Sequence, residues 1–243
     1  MSIPRFYCDS KLGPGAVVEL PPNAAVHASR ALRLQAGARV RLFNGDGHDY
    51  GAELIRVSKE HVSAKILDQH AVNNEPPFRA TLAQAISSGD RMDFTLQKSV
   101  ELGIHAIQPL AAERSVVKLS GERSDKRVQH WQNVVVSACE QSGRAFVPHV
   151  AAPLPLMSWL GAGPDFPLKL MLSPMATLTL HDLQPPTGDI CLLIGCEGGF
   201  STAETLAAEQ QGFIPVRLGA RVLRTETASL AALAAMQTLW GDY

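Results

Sequence analysis

Two glycine-bearing turns, at residues 195–200 (GCEGGF) and 218–224 (LGARVLR), bring charged side chains close to backbone that carries no Cβ. Glycine at such points lets the main chain approach a ligand where a side chain would block it. Each turn follows a short apolar run, 190–194 and 213–218, of the kind that forms a buried strand. Ser201 or Thr202 with Glu204 close behind reads as a helix start, and Thr225 reads as the cap of an Ala-rich helix over 226–240. Strand, glycine turn and helix N-terminus in that order form a ligand-binding crevice in open α/β sheets, at the carboxyl ends of the strands. A plain tight turn accounts equally well for one such loop. Two of them, the second carrying Arg221 and Arg224, favour a site.

Spacing excludes several familiar ligands. The turns lack the G-x-G-x-x-G order of a dinucleotide site and the G-x-x-x-x-G-K-[ST] of a phosphate loop. The eight histidines show no H-x-x-x-H spacing and the four cysteines no C-x-x-C, so no metal is expected and the thiols read as reduced.

The elements that must hold these turns divide in two. Residues 1–74 carry alternating short runs at 15–20, 39–43, 50–57 and 61–67, broken by turn signals such as Asn44-Gly45-Asp46-Gly47, with one short helix expected over 23–34. That pattern is a small β-rich domain, and other small barrels fit it too. Residues 71–78 (AVNNEPPF) read as a connection. From 75 to 243 strands and helices alternate: strands at 79–86, 104–110, 146–150 and 168–172, helices at 90–102, 123–141 and 154–160, then the two glycine loops. Such alternation implies an α/β domain with a mostly parallel sheet.

Composition sets the class. With 46% hydrophobic residues in 243 the chain can bury a real core. No apolar run approaches the ~20 residues that cross a bilayer and no signal-like segment opens the chain, so a soluble, cytoplasmic protein is the expectation. The net charge of −1 argues against a generally basic surface, yet Arg30, Arg33, Arg39 and Arg41 fall within 26–41 without an acid. A local patch of that kind docks phosphates, or is an ordinary solvated face.

The string IGCEGGFS…E at 194–204 followed by LGARVLRTETA at 218–228 resembles the paired signature of the 16S ribosomal RNA uracil-N3 methyltransferases, the RsmE family of the knotted SPOUT class. The resemblance extends to PRFY at 4–7, to RMDFTLQKSVELGIHAIQPLAAERSVVK at 91–118 and to ACEQSGR at 138–144, nearly the whole chain. Cys196 stands where that family usually has Pro, which restores an N–H and frees φ.

The resemblance implies a PUA-like β-barrel over 1–74, a trefoil knot in 75–243, S-adenosylmethionine as methyl donor, a uridine of 16S ribosomal RNA in the small subunit as substrate, and a homodimer. It implies a cofactor pocket built from Leu172, Ser173, Gly195, Glu197, Gly198, Gly199, Leu218, Gly219, Leu223, Thr227 and Ala228. Gly198 and Gly219 carry the most weight there, since a Cβ would most simply spoil close approach. Uracil N3 is a weak acid and its anion must be favoured, so Arg221 and Arg224 are expected to stabilise charge on the flanking carbonyls. Glu226 or Glu197 is a candidate base, or each is a plain helix or turn residue. Arg5, Arg30, Arg33, Arg39, Arg114 and Arg144 are expected to touch RNA. Lys98 with Glu101 either organises the cleft or is a surface helix pair, and Gly143 suits a helix C-terminus.

Overall fold

The computed structural model describes residues 3–59, 61–116 and 121–243. The end of the stretch at 91–118, Val117 and Lys118, lies outside them. Two compact units are present, Met1–Glu75 with Cys139–Val147, and Pro76–Ala138 with Pro148–Tyr243. The division at Glu75 falls beside the expected break, whereas the inclusion of Cys139–Val147 in the first unit has no counterpart in a linker read at 71–78.

In the first unit β1 (Arg5–Tyr7), β2 (Val17–Glu19), β3 (Arg39–Phe43), β4 (His48–Val57) and β5 (Val62–Ala71) form one sheet in the order β1-β3-β4-β5-β2. Alternation puts Val40, Leu42, Leu54, Val62, Ala64 and Ile66 inside, packed with Phe6 and Leu20. The helix expected over 23–34 is shorter and irregular: α1 (Pro22–Val26) runs into a π-helical turn, His27–Ala31, and the chain then leaves through Arg33 at φ 52°.

Arg5 and Arg144 are structural here, a correction to their expected role at RNA. Arg5 donates to Asp49 at 2.9 and 2.7 Å and to the carbonyls of Cys139 and Arg144, and lies over the Phe43 ring. Arg144 pairs with Glu75 through two nitrogens. Their side chains are only 7% and 4% exposed, so neither guanidinium presents a face to a phosphate. Both close the first unit around the returning segment.

The second unit is a parallel sheet of β6 (Ala80–Ala85), β7 (Ala106–Ala111), β8 (His149–Val150), β10 (Leu168–Leu172), β11 (Ile190–Ile194) and β12 (Ile214–Val216), ordered β12-β10-β11-β6-β7-β8, with β9 (Leu154–Pro155) also on β7. The strand expected over 146–150 shrinks to its last two residues, and the helix expected over 154–160 starts as β9 before α4 (Leu156–Gly161). Ile190–Ile194 is buried at every position, which is why it reads as an unbroken apolar run. Helices α2 (Asp90–Glu101), α3 (Glu122–Ser142), α5 (Thr202–Gln210) and α6 (Thr225–Trp240) complete it, with α2 packed on α6. Gly143 closes α3 at φ 80°, and Lys98 pairs with Glu101 at 2.7 Å along α2. No helix among the described residues is long and apolar enough to cross a membrane.

Candidate active site

The loops after β10, β11 and β12 open on one cavity of about 870 Å³, within the size range of small-molecule sites. The first loop supplies Leu172 and Ser173, the second Gly195, Glu197, Gly198 and Gly199, the third Leu218, Gly219 and Leu223. Arg221, Arg224, Glu226 and Ala228 complete the expected set on its wall. Thr227 is exposed and outside it, because one step along α6 turns a side chain by about 100° away from its neighbours.

Local sequence explains the second loop. After β11 the backbone folds through a turn in which Gly199 N donates to Cys196 O at 2.9 Å and Gly199 takes φ 65°. Cys196 Sγ lies 3.7 Å from Gly199 O, so the thiol closes from its own side the turn that a proline ring would stiffen. A Cβ on Gly195 would stand 3.1 Å from Gly199 Cα, making Gly195 the position where backbone meets backbone. At Gly198 the same atom meets the side chain of Arg114, and Gly219 has open space around it but φ 76°. The weight therefore shifts from Gly198 to Gly195.

Three other segments of the second unit fix this loop. Thr225 heads α6 without capping it; its hydroxyl donates to Gly195 O at 2.6 Å and receives Gln84 Nε2 at 3.0 Å. Ser229 Oγ, one turn on, reaches Gln84 Oε1 at 2.7 Å, and all three residues are buried. Arg114 donates to Gly198 O at 2.9 Å, so this arginine is spent at least in part on the loop. Glu204, buried at the start of α5, completes the capping box with Ser201 and accepts Glu113 N at 2.7 Å through its other oxygen. Replacing Thr225 with Val takes the hydroxyl donor from Gly195 O and one of two acceptors from Gln84 Nε2, which keeps Ala85 O at 3.0 Å. The expected loss is about 1–3 kcal/mol of unfolding free energy in urea, accompanied by weaker ligand binding at the loop.

The charged groups are unequal. Glu197 Oε1 accepts Ser88 N at 3.1 Å, Ser88 Oγ at 2.9 Å and Arg91 Nη1 at 2.8 Å. Partial burial raises its pKa, but these bonds outweigh burial and bring it from the ordinary 4.5 down to about 2. Folding thus favours the ionised form. The clasp contributes fully above pH 4.5 and is lost as pH falls from there towards 2, a sensitivity that Glu197→Gln removes in an acid titration of stability. So acidic a carboxyl is a poor proton acceptor at neutral pH. Arg221 and Arg224 of the third loop stand exposed on the cavity wall, and the first turn of α6 adds the positive end of its dipole.

Sequence reasoning missed Arg91, Gln84 and Ser229. Arg91 lies 106 residues before the carboxylate that it binds. Gln84 is the one fully buried polar residue of β6, a mismatch that could have marked it. Among the candidates for RNA contact, Arg30, Arg33 and Arg39 are exposed on the first unit, Arg39 lying 3.5 Å from Glu53. No group of three or more metal-ligating side chains occurs among the described residues.

Residues 74–237 match the RNA methyltransferase domain family and residues 20–67 the RNA methyltransferase PUA domain family. The ribosomal RNA small subunit methyltransferase E of Buchnera aphidicola subsp. Schizaphis graminum is 35% identical over 99% of this chain and 98% of its own length. Its counterpart from Neisseria gonorrhoeae, solved bound to S-adenosyl methionine, is 45% identical with a TM-score of 0.92 over 100% of both chains. A methyltransferase of Legionella pneumophila, solved with the same cofactor, is 41% identical with a TM-score of 0.95 over 100% of both chains.

Proposed function

This chain belongs to the RNA methyltransferase family that includes the ribosomal RNA small subunit methyltransferases E, and from that premise we propose that it transfers a methyl group from S-adenosylmethionine to N3 of a uridine in 16S ribosomal RNA. The observation that carries the reading is the single cavity into which both glycine loops, Arg221, Arg224 and Glu226 converge.

The residues present suit the cofactor. The close approach of Gly195 and Gly199 leaves a strip of bare backbone against which a flat adenine can lie, and the remaining wall offers both signs of charge to a zwitterionic methionine end. When bound, S-adenosylmethionine supplies an electrophilic methyl group on a sulfonium. The protein's part is to orient the base and stabilise its anion. Arg221 and Arg224 line the cavity with exposed side chains, and in this reading bound RNA covers them, so that they stabilise charge gathering on the carbonyl oxygens that flank the ring nitrogen. Positioning alone contributes roughly 7–11 kcal/mol at best.

The first unit is the RNA-holding part in this reading, through Arg30, Arg33 and Arg39, and in the second unit Arg114 is an exposed cation beside the glycine turn. The second unit carries the knot. The protein acts in the cytoplasm as a homodimer; exposed Met175, Leu206 and Val222 at the cavity edge support an apolar partner there.

The test is transfer of labelled methyl groups from S-adenosylmethionine to unmodified small subunits, naked 16S RNA and transfer RNA, with the product nucleoside identified. N3-methyluridine in the small-subunit RNA is the expected product. Methylation of transfer RNA alone moves the assignment to another RNA, and cofactor binding without transfer to any of them leaves an RNA-binding or assembly protein.

A further inference from the structure

Arg91 lies in the first turn of α2 and on the cavity wall between two carboxylates. Its Nη1 is 2.8 Å from Glu197 Oε1, and its Nε is 3.9 Å from Glu226 Oε1. Glu226 is the more buried of the two, with a side chain 15% exposed against 27% for Glu197. Its other oxygen, Oε2, is buried and has no hydrogen-bond partner among the described residues. A buried carboxylate oxygen without a donor is costly and calls for an explanation, because folded chains normally satisfy such atoms. One guanidinium shared between two carboxylates leaves a local deficit of positive charge. That deficit falls on Glu226, because Glu197 already has Ser88 N and Ser88 Oγ in addition to Arg91.

Resting on the methyl-transfer reading above, we infer that Arg91 is a positioning residue, which holds Glu226 in the cavity wall with one carboxylate oxygen left to take the proton of the reacting ring nitrogen. The bond between nitrogen and hydrogen breaks, an O–H bond forms on Glu226, and the electron pair left on nitrogen forms the bond to the methyl group as the bond from that methyl to the donor's sulfonium breaks, its electron pair leaving on the sulfur as a neutral thioether. Glu226 then returns the proton to water. Glu197 anchors Arg91 from the other side and takes no proton, in keeping with its saturated Oε1 and its strongly acidic carboxyl. The anchoring spans three separate segments, the loop before α2, the glycine turn and the first turn of α6, so the direction of the guanidinium is set by the fold.

The experiment is a double-mutant cycle on the full chain with R91Q, E226Q and R91Q/E226Q, plus R91K. Turnover is read on the RNA that the wild type methylates, cofactor affinity by calorimetry without RNA, and stability by thermal unfolding. E226Q is expected to lower kcat by roughly 100-fold or more, as for removal of a general base. R91Q is expected to lower it by roughly 10- to 100-fold at saturating cofactor, so that the loss of kcat stands apart from any loss of cofactor affinity caused by releasing Glu197. The double variant is expected to match E226Q alone within about threefold, since two residues acting as one unit are not additive. R91K restores charge without the fork and recovers part of kcat. Multiplicative losses, a wild-type kcat in E226Q, or an R91Q defect confined to cofactor affinity or unfolding temperature overturn the inference while leaving the methyltransferase reading intact. A wild type that methylates no RNA overturns both.

Discussion

Arg224→Ala is expected to lower kcat by roughly 10²–10³-fold, the size for removing one charge from beside a developing anion, while affinity for S-adenosylmethionine changes little. Arg224 is exposed and immediately precedes α6, so truncating it removes no buried packing and unfolding should be unaffected. Its backbone keeps the geometry by which Ala228 N donates to Arg224 O at 2.8 Å. The discriminating measurement is therefore kcat against the dissociation constant of the cofactor. Equal losses in both would place Arg224 in cofactor binding and return the electrostatic role to Arg221 alone.

Gly195→Val is expected to weaken cofactor binding by roughly 100-fold, about 2.7 kcal/mol, as measured by calorimetry. The new Cβ would sit 3.1 Å from Gly199 Cα and 3.2 Å from Gly199 C, and main chain held on both sides cannot move aside cheaply. Gly198→Val is the control. Its Cβ would meet Arg114 Cβ at 3.0 Å, an atom that side-chain rotation does not move but that belongs to a neighbouring segment rather than to the turn's own main chain; that segment must give by a few tenths of an ångström, and a smaller effect is expected. If Gly198→Val is the more damaging, the close backbone approach at Gly195 is not what shapes the site.

Much of this was legible beforehand where one requirement dominated. Ile190–Ile194 and Leu168–Leu172 were found to the residue because buried parallel strands admit little but apolar side chains. Ser201 with Glu204 announced α5, although not that Glu204 has a second oxygen to give to Glu113. Where two demands compete, local reading fails. Thr225 has the chemistry of a cap, yet a carbonyl of the glycine loop takes its hydroxyl. Arg5 and Arg144 have the chemistry of phosphate contacts, yet Asp49 and Glu75 claim them. Nothing in the spacing of α3 foretold that its last turn would belong to the first unit.

The buried link from Gln84 to Thr225 and Ser229 joins residues 141 and 145 positions apart. Such distant pairs form late, because the intervening chain must be ordered before they are made. During synthesis α6 emerges after every strand of the sheet, so a nascent chain can align β6, β10 and β11 while Gly195 still lacks the hydroxyl that fixes it. Competence to hold the cofactor should thus arrive late in folding, once α6 has docked and its Thr225 hydroxyl has fixed the glycine turn.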